Sequence, residues 1–323
     1  MTSPAPVLPH PKPPLALRIE RSLRRAMFLA GRTLVRSVRF ERVRALGALL
    51  GELQFQLGFV PRRRMVRDLA ALQGRGADDP AVKRQMREAY RINDAAVLEV
   101  LKMFDRRQDP AMLSSHVEVD GIALLRQALE AGRGAILLAT HAGNSALLVV
   151  RLAAAGVPVS MVFRESRMMD AGLFERGLSF YGVEGILATD GLKAYGRMLG
   201  ALRSNRVVFI MADQGVKKAR DGMVFRFLGK DMPMPAGPPQ LARHADAPVL
   251  PVATVAVEPV WRFEIRSAIP RQVDASLEAD VESLLRASEQ MIMSNPQWWS
   301  WHHRRWRRFP LAADPARGVE GHH

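Results

Sequence analysis

The sequence contains no cysteine among its 323 residues, which excludes disulfide bonds, thiolate nucleophiles and zinc sites with cysteine ligands. It also lacks an uninterrupted apolar run of about 18 residues, the length that a membrane-spanning helix requires. The closest approach, residues 46–60, is interrupted by Glu52, Gln54 and Gln56. No stretch has the pattern of a cleavable signal peptide. We therefore expect a chain without disulfide bonds and without a spanning helix.

Acidic residues are scarce relative to basic ones. The chain has 32 Asp and Glu residues and 47 Lys and Arg residues, which gives a formal net charge of +15. Such an excess favours acidic partners, namely nucleic acid, an anionic membrane surface or an acidic carrier protein. Hydrophobic residues make up 48% of the chain, enough for a full core. A folded protein with an acidic partner is the expectation.

The two ends of the chain differ from its middle. Residues 1–14 carry six prolines and predict a flexible leader, and residues 311–323 predict a loose tail. Residues 15–75 predict a basic, amphipathic helical segment, with a break at Pro61. Such a segment is typical of helices that lie on anionic lipid, where each Lys or Arg contributes about 1 kcal/mol. The alternative is an ordinary helix with a solvated basic face.

Residues 76–310 predict an α/β domain. After a helical region at 79–108, short apolar runs of strand length alternate with helical stretches. The predicted strands are 134–140, 158–163, 183–187, 206–212 and 247–255, and the predicted helices are 144–155, 168–181, 191–203, 237–245 and 276–293. This rhythm predicts a mostly parallel central sheet flanked by helices. Residues 222–229 and 261–269 predict additional strands at an edge.

Polar residues follow three of the predicted strands directly: His141, Arg164 and Asp213. In an open α/β sheet, ligands bind beyond the carboxyl ends of the strands. A neutral imidazole there can act as a general base, an effect typically worth about 10²–10⁴-fold in rate. A carboxylate on its other ring nitrogen fixes the tautomer and stabilises the imidazolium. The alternative for His141 is a side chain that caps a turn.

Several ordered stretches resemble one protein family. They are LGALLGELQFQLGFVPRRR (46–64), THAGN (140–144), MVFR (161–164), GLKAYGRMLGALRSNRVVFIMADQG (191–215), FLGKDMPMPAGPPQLARHADAPVLPV (227–252) and NPQWWSWHHRRWRRFP (295–310). Together they resemble the bacterial lipid A late acyltransferases, the lauroyl and myristoyl transferases, within the lysophospholipid-acyltransferase-like superfamily. The similarity spans roughly residues 40–310.

The resemblance implies a glycerolipid-acyltransferase-like fold with a membrane-proximal helical segment. It implies a peripheral enzyme of the cytoplasmic face of the bacterial inner membrane, which transfers a fatty acyl group from an acyl carrier protein or acyl-CoA. The acceptor is a hydroxyl or amine of a lipid or lipid-like molecule, and no metal, cofactor or nucleic acid takes part. His141 is the implied general base. Gly143 and Asn144 are candidates for oxyanion binding, Arg164 for oxyanion or phosphate binding, and Gln214 for substrate binding.

One position departs from the family pattern. The family's histidine box, His-x4-Asp/Glu, places an acid at position 146, where this sequence has Ala146. In one interpretation, Asp213 supplies the missing carboxylate from a neighbouring strand end, with Glu165 as a further option. In the other, the protein is a catalytically weak or inactive member that binds lipid or acts as a scaffold.

Two further patterns concern apolar and aromatic residues. An acyl chain requires an apolar groove, whose candidate lining is residues 232–242 with Met161, Met168, Met169, Met211 and Met223; the alternative is plain core packing. Residues 298–309 mix Trp, His and Arg, a composition that suits a membrane interface or nucleic acid. The resemblance implies a structural role near the membrane for this stretch. His302 and His303 are further candidates for a base.

Overall fold

The computed structural model describes residues 32–33, 35–165, 171–216, 222–271, 274–302, 306 and 309, excepting the side chains of residues 59–61. The helices are α1 (Phe40–Leu57), α2 (Phe59–Leu72), α3 (Pro80–Asp105), α4 (Pro110–Ser114), α5 (Ile122–Glu130), α6 (Ser145–Ala154), α7 (Ala171–Ser179), α8 (Leu192–Arg203), α9 (Gly237–Ala245) and α10 (Leu277–Ser294). The strands are β1 (Val117–Asp120), β2 (Ala135–Ala139), β3 (Val159–Phe163), β4 (Glu184–Leu187), β5 (Val207–Met211), β6 (Met223–Phe227), β7 (Lys230–Met234), β8 (Val249–Ala256) and β9 (Trp261–Ile265). The predicted leader and tail, Met168, Met169 and His303 lie outside the described residues.

A seven-stranded sheet in the order β1-β9-β8-β2-β5-β3-β4 forms the centre of the described chain. Strands β8, β2, β5, β3 and β4 are mutually parallel, whereas β9 runs antiparallel to β8 and carries β1 parallel beside it. Helices cover both faces. The prediction of a mostly parallel sheet flanked by helices is confirmed.

Burial explains why the central strands read as continuous apolar runs. All five residues of β2 are buried, as are the first four of β5, because helices pack on both faces of this sheet. The helices start at residues suited to capping: the Asp79 side chain accepts the N–H of Ala81 before α3, and Ser276 accepts that of Ala279 before α10. Local sequence and tertiary packing therefore agree over most of the domain.

The N-terminal helices pack on α3 through small residues. A Cβ atom on Gly47 or Gly51 would lie 2.5 Å or less from the backbone of α3, so only glycine permits this close approach. The described basic segment is thus packed along one side against the domain. The predicted break at Pro61 is wrong: the chain bends at Gly58, and Pro61 lies in the first turn of α2, where its missing N–H costs nothing.

Four strands differ from expectation, among them β7, which was not predicted. Residues 261–269 contain β9, which lies between β8 and β1 rather than at the edge. Residues 222–229 contain β6, which pairs with β7 in a separate antiparallel hairpin outside the main sheet. The true edge strand β1 was not predicted, because its four residues, VEVD, are short and half polar. Across the described helices, none is long and apolar enough to cross a bilayer.

Candidate active site

Three adjacent strands bring the predicted polar residues together. His141 follows β2, Asp213 follows β5 and Arg164 follows β3, and these strands are neighbours in the order β2-β5-β3. Parallel strands end at the same edge of the sheet, so residues far apart in the chain meet there. The topology creates one site at the carboxyl edge.

A histidine–aspartate pair lies at this edge. His141 Nδ1 is 2.6 Å from Asp213 Oδ1, and the His141 backbone N–H donates to Asp213 Oδ2 at 2.8 Å. The Asp213 side chain has no exposed surface, whereas a quarter of the His141 side chain is exposed. A carboxylate at Nδ1 favours the tautomer protonated there, in which Nε2 carries the lone pair that can take a proton. The predicted contact with Asp213 is present, and Glu165 makes no such contact.

Trp299 is a third member of this arrangement that sequence reasoning missed. Its indole Nε1–H donates to Asp213 Oδ2 at 2.6 Å, and its side chain is 1% exposed. The backbone around it pairs with the histidine turn: the Gly143 N–H donates to the Trp298 carbonyl and the Ser300 N–H to the His141 carbonyl. The C-terminal segment thus fixes both the carboxylate and the backbone of His141.

Gln214 lies against the imidazole. Its Nε2 is 3.0 Å from His141 Nε2 and 3.3 Å from Nδ1. With the ring proton on Nδ1, the His141 Nε2 lone pair accepts from the Gln214 amide. A substrate hydroxyl that reaches Nε2 must take the place of this amide.

The start of α6 is held by a buried carboxylate. Asn144 caps the helix by accepting the Leu147 N–H at 3.0 Å, and its Nδ2 donates to Glu99 Oε2 at 2.8 Å. The Trp261 indole donates to the same oxygen at 2.7 Å. Glu99 is 1% exposed, and this burial raises the pKa of its carboxyl. Asn144 therefore acts as a cap whose side chain is held on both sides.

Gly143 forms the turn before this cap. Its φ is +66°, and a Cβ there would lie 2.9 Å from Thr254 Oγ1, so glycine is required. The Gly143 N–H is already bound to the Trp298 carbonyl at 3.2 Å. The Gly143 N–H would have to leave this carbonyl to bind an oxyanion, so its role as an oxyanion donor stays a prediction. Ser145 and Ala146 begin α6, and their N–H groups have no partner within the helix.

A largely apolar pocket of about 650 Å³ opens at His141. This volume lies in the range of small-molecule sites. Gly143, Asn144, Arg164 and Gln214 all line it. The exposed side chain of Glu165 and the wall residue Ala146, which is 4% exposed, line it as well.

The proposed groove residues divide between pocket and core. Met161 and Met211 line the pocket, as do Pro235, Pro238 and Leu241. Met232 and Met234 are fully buried in a separate cluster with three C-terminal tryptophans, and Met223 packs against that cluster. For Met223, Met232 and Met234 the alternative interpretation therefore applies, because these side chains pack in the core and do not line the pocket.

Three tryptophans of the aromatic stretch 298–309 are buried in the protein. Trp299, Trp301 and Trp306 are at most 1% exposed and meet edge to face, which leaves no indole surface for a membrane. His302 packs against the Tyr90 ring, 4.4 Å between centroids, and does not line the pocket. Within the described ranges, no group of three or more His, Asp or Glu residues is arranged to hold a metal ion.

Comparisons with known proteins identify the family of the chain. Residues 16–308 match the family described as bacterial lipid A biosynthesis acyltransferase. A phosphatidylinositol mannoside acyltransferase of Mycolicibacterium smegmatis is 32% identical over 148 residues, 45% of this chain and 47% of the relative. One from Mycobacterium tuberculosis is 28% identical over 185 residues, 56% of this chain and 57% of the relative. The chain spans about half the length of these curated relatives.

Proposed function

The chain belongs to the bacterial lipid A biosynthesis acyltransferase family, and from this premise we propose that it transfers a fatty acyl group from a thioester to a hydroxyl or amine of a lipid-like acceptor. The observation that carries the proposal is the 2.6 Å contact between His141 Nδ1 and the buried Asp213, with the imidazole facing an apolar pocket. The named relatives act on a mannosylated phosphatidylinositol, and the acceptor class is inferred from them.

The chemistry uses the imidazole twice. An acceptor O–H or N–H gives its proton to His141 Nε2 while the oxygen or nitrogen attacks the thioester carbon. The tetrahedral intermediate collapses, the C–S bond breaks, and the proton on Nε2 passes to the leaving thiolate. Asp213 stabilises the imidazolium formed between these steps. The Ser145 and Ala146 N–H groups at the start of α6 are suited to the developing oxyanion, since helix N-termini favour negative charge.

The donor is an acyl carrier protein or acyl-CoA. Both carry a phosphorylated pantetheine arm, and the exposed Arg164 at the pocket is a guanidinium suited to bind a phosphate. The formal charge of +15 favours association with an acidic carrier protein.

The same protein is proposed to lie on an anionic membrane, at the cytoplasmic face of the inner membrane. Leu49, Leu53 and Leu57 of α1 are 58, 47 and 73% exposed and follow one another at four-residue spacing, so they share one face. The exposed Arg42 precedes this leucine stripe and the exposed Arg63 follows it. Apolar residues flanked by basic ones are typical of interfacial helices.

An acyl-transfer assay tests the enzymatic proposal. The purified protein is incubated with radiolabelled palmitoyl-CoA or palmitoyl-acyl carrier protein and a panel of lysophospholipid and glycolipid acceptors. We expect labelled product that is lost in His141→Ala and kept in His116→Ala, a matched histidine whose Nδ1 contacts the Met112 carbonyl. Absence of transfer across the panel, with lipid binding retained, would support the alternative of an inactive lipid-binding or scaffold protein.

A vesicle assay tests the membrane proposal separately. Cosedimentation with phosphatidylglycerol vesicles is expected to fall in the double variant Leu53→Gln, Leu57→Gln. The matched control replaces Val224, an apolar residue 66% exposed on the β6 hairpin, with Gln. Equal binding of both variants and the parent would contradict the assignment of the leucine stripe.

A further inference from the structure

The pocket at His141 is lined by consecutive residues of the same two strands. Met161, Val162 and Phe163 of β3 all line it, as do Ile210 and Met211 of β5. Consecutive strand residues point to opposite faces of a sheet. The helical residues that line the pocket also divide between two hydrophobic clusters, one on each face of the sheet. The pocket therefore runs round the carboxyl edge of β3 and β5 and reaches both helical layers.

The first arm of the pocket lies between α3 and α6. Its lining includes Ala96 and Val100, one turn apart on α3, and Ala146 at the start of α6. Phe174 of α7 also borders this arm, and all four side chains belong to or pack against one hydrophobic cluster. These four lining side chains are apolar.

The second arm lies on the opposite face, between α8 and α9. Ala194, Tyr195 and Met198 contribute from α8, and Pro238 and Leu241 from α9. Leu241 is buried in a different hydrophobic cluster, against which Tyr195 and Met198 pack. The two arms thus have separate walls and meet only at the sheet edge, where His141 and Gln214 lie.

We propose that the two arms bind two separate alkyl chains, the acyl chain of the donor between α3 and α6 and an alkyl chain of the acceptor between α8 and α9. This inference rests on the proposed acyl transfer, which requires two reactants at His141. An apolar arm that opens at the reacting atoms is suited to a chain covalently attached to one of the reactants. With two arms, the acceptor as well as the donor carries a hydrocarbon chain.

The geometry of α6 assigns the arms. The thioester oxygen lies against the Ser145 and Ala146 N–H groups when it becomes an oxyanion, and the Ala146 side chain is a wall of the first arm. The acyl chain therefore continues along α6 into that arm. The acceptor approaches His141 Nε2 from the side of Gln214, which follows β5, and its chain enters the arm at α8 and α9.

Calorimetric titration with unreactive probes tests the proposal. The donor probe is S-hexadecyl-CoA, a thioether, and the second-chain probe is 1-decanol. We expect decanol to bind protein already saturated with the thioether. Ala194→Leu should weaken decanol binding about tenfold and leave thioether binding unchanged, and Ala96→Leu should do the reverse, since the added methyl groups fill the arm that the probe would occupy. Both alanines are buried helical residues, which makes the two variants matched controls.

A second matched pair, Met198→Phe and Val100→Phe, uses half-buried residues of the same arms and covers the case in which an alanine variant fails to fold. Competition between decanol and the thioether would mean one continuous chain site and would overturn the proposal. So would equal effects of both variants on one probe, or no binding of decanol. Binding as expected without acyl transfer in the enzymatic assay would reject the proposed activity and leave the two-chain pocket standing.

Discussion

Replacing Asp213 with Asn tests the catalytic arrangement with little change of shape. Three donors converge on this carboxylate: the His141 backbone N–H, the His141 ring N–H and the Trp299 indole. The side chain of the Asp213→Asn variant has a single oxygen. We expect it to accept the two hydrogen bonds now made to Oδ2, from the His141 backbone N–H and the Trp299 indole. The amide NH₂ group then faces His141 Nδ1, which must give up its proton and become an acceptor.

The consequence is the wrong tautomer, with the proton on His141 Nε2. That nitrogen can no longer accept a proton from the acceptor. The same Asp→Asn replacement in serine proteases lowers kcat by about 10⁴-fold while the geometry stays intact. We expect kcat to fall by about 10²–10⁴-fold here, the range of general-base catalysis. The KM for the donor should stay unchanged, because Asp213 does not line the pocket.

The assay is steady-state acyl transfer from palmitoyl-CoA, with thermal unfolding measured in parallel. Loss of one charge-assisted hydrogen bond costs about 1.5–3 kcal/mol, so a folded variant with a lowered Tm is expected. Asp120→Asn, an exposed carboxylate on β1, is the matched control and should behave as the parent. A kcat within about threefold of the parent in a folded Asp213→Asn protein would refute the role of Asp213.

Three further predictions concern neighbouring residues. Trp299→Phe removes the indole donor to Asp213 and should lower stability by about 2 kcal/mol in denaturant titration, with a fall in kcat at unchanged donor KM; equal stability would contradict it. Gly143→Ala brings a Cβ within 2.9 Å of Thr254 Oγ1 at positive φ and should abolish transfer in a protein that still unfolds cooperatively. Burial raises the pKa of Asp94 to about 6, so the folded state binds the proton more tightly than the unfolded state. The contribution of this group to stability is about 3 kcal/mol well below the unfolded pKa of about 4 and is lost as the pH rises through 6, with about 1.4 kcal/mol of the loss falling between pH 5 and pH 8. Asp94→Asn should remove this fall in denaturant titrations near pH 5 and near pH 8, and an unchanged slope would contradict it.

Strand-length apolar runs located the five parallel strands within a few residues, because burial on both faces imposes a continuous hydrophobic pattern. Their order in the sheet was not readable from that pattern. β9 alternates as an edge strand does, yet it is covered by β1, which pairs with it from more than 140 residues earlier in the chain. Pairing at that distance depends on tertiary packing and leaves no local periodicity.

Some residues of the site were predictable from the sequence and others were not. His141 and Asp213 were placed together by a general rule of open sheets, since both directly follow parallel strands. Trp299 belongs to a stretch whose composition suits a membrane interface or nucleic acid and for which the resemblance implies a structural role. The structure shows that this side chain is buried and bound to Asp213. No local pattern distinguishes an indole that reaches a carboxylate across 86 residues from one that faces lipid.

The alanine at position 146 has a physical explanation in this arrangement. His141 Nδ1 is occupied by Asp213, so an acid at position 146 is not needed to fix the tautomer. A carboxylate is still present at the start of α6, because Glu99 on α3 holds the capping side chain of Asn144 from within the core. With the tautomer of His141 fixed from elsewhere in the chain, position 146 can carry a small apolar side chain on the pocket wall. The methyl group of Ala146 keeps that wall apolar beside the helix N-terminus, where the proposed mechanism places the acyl chain and its carbonyl.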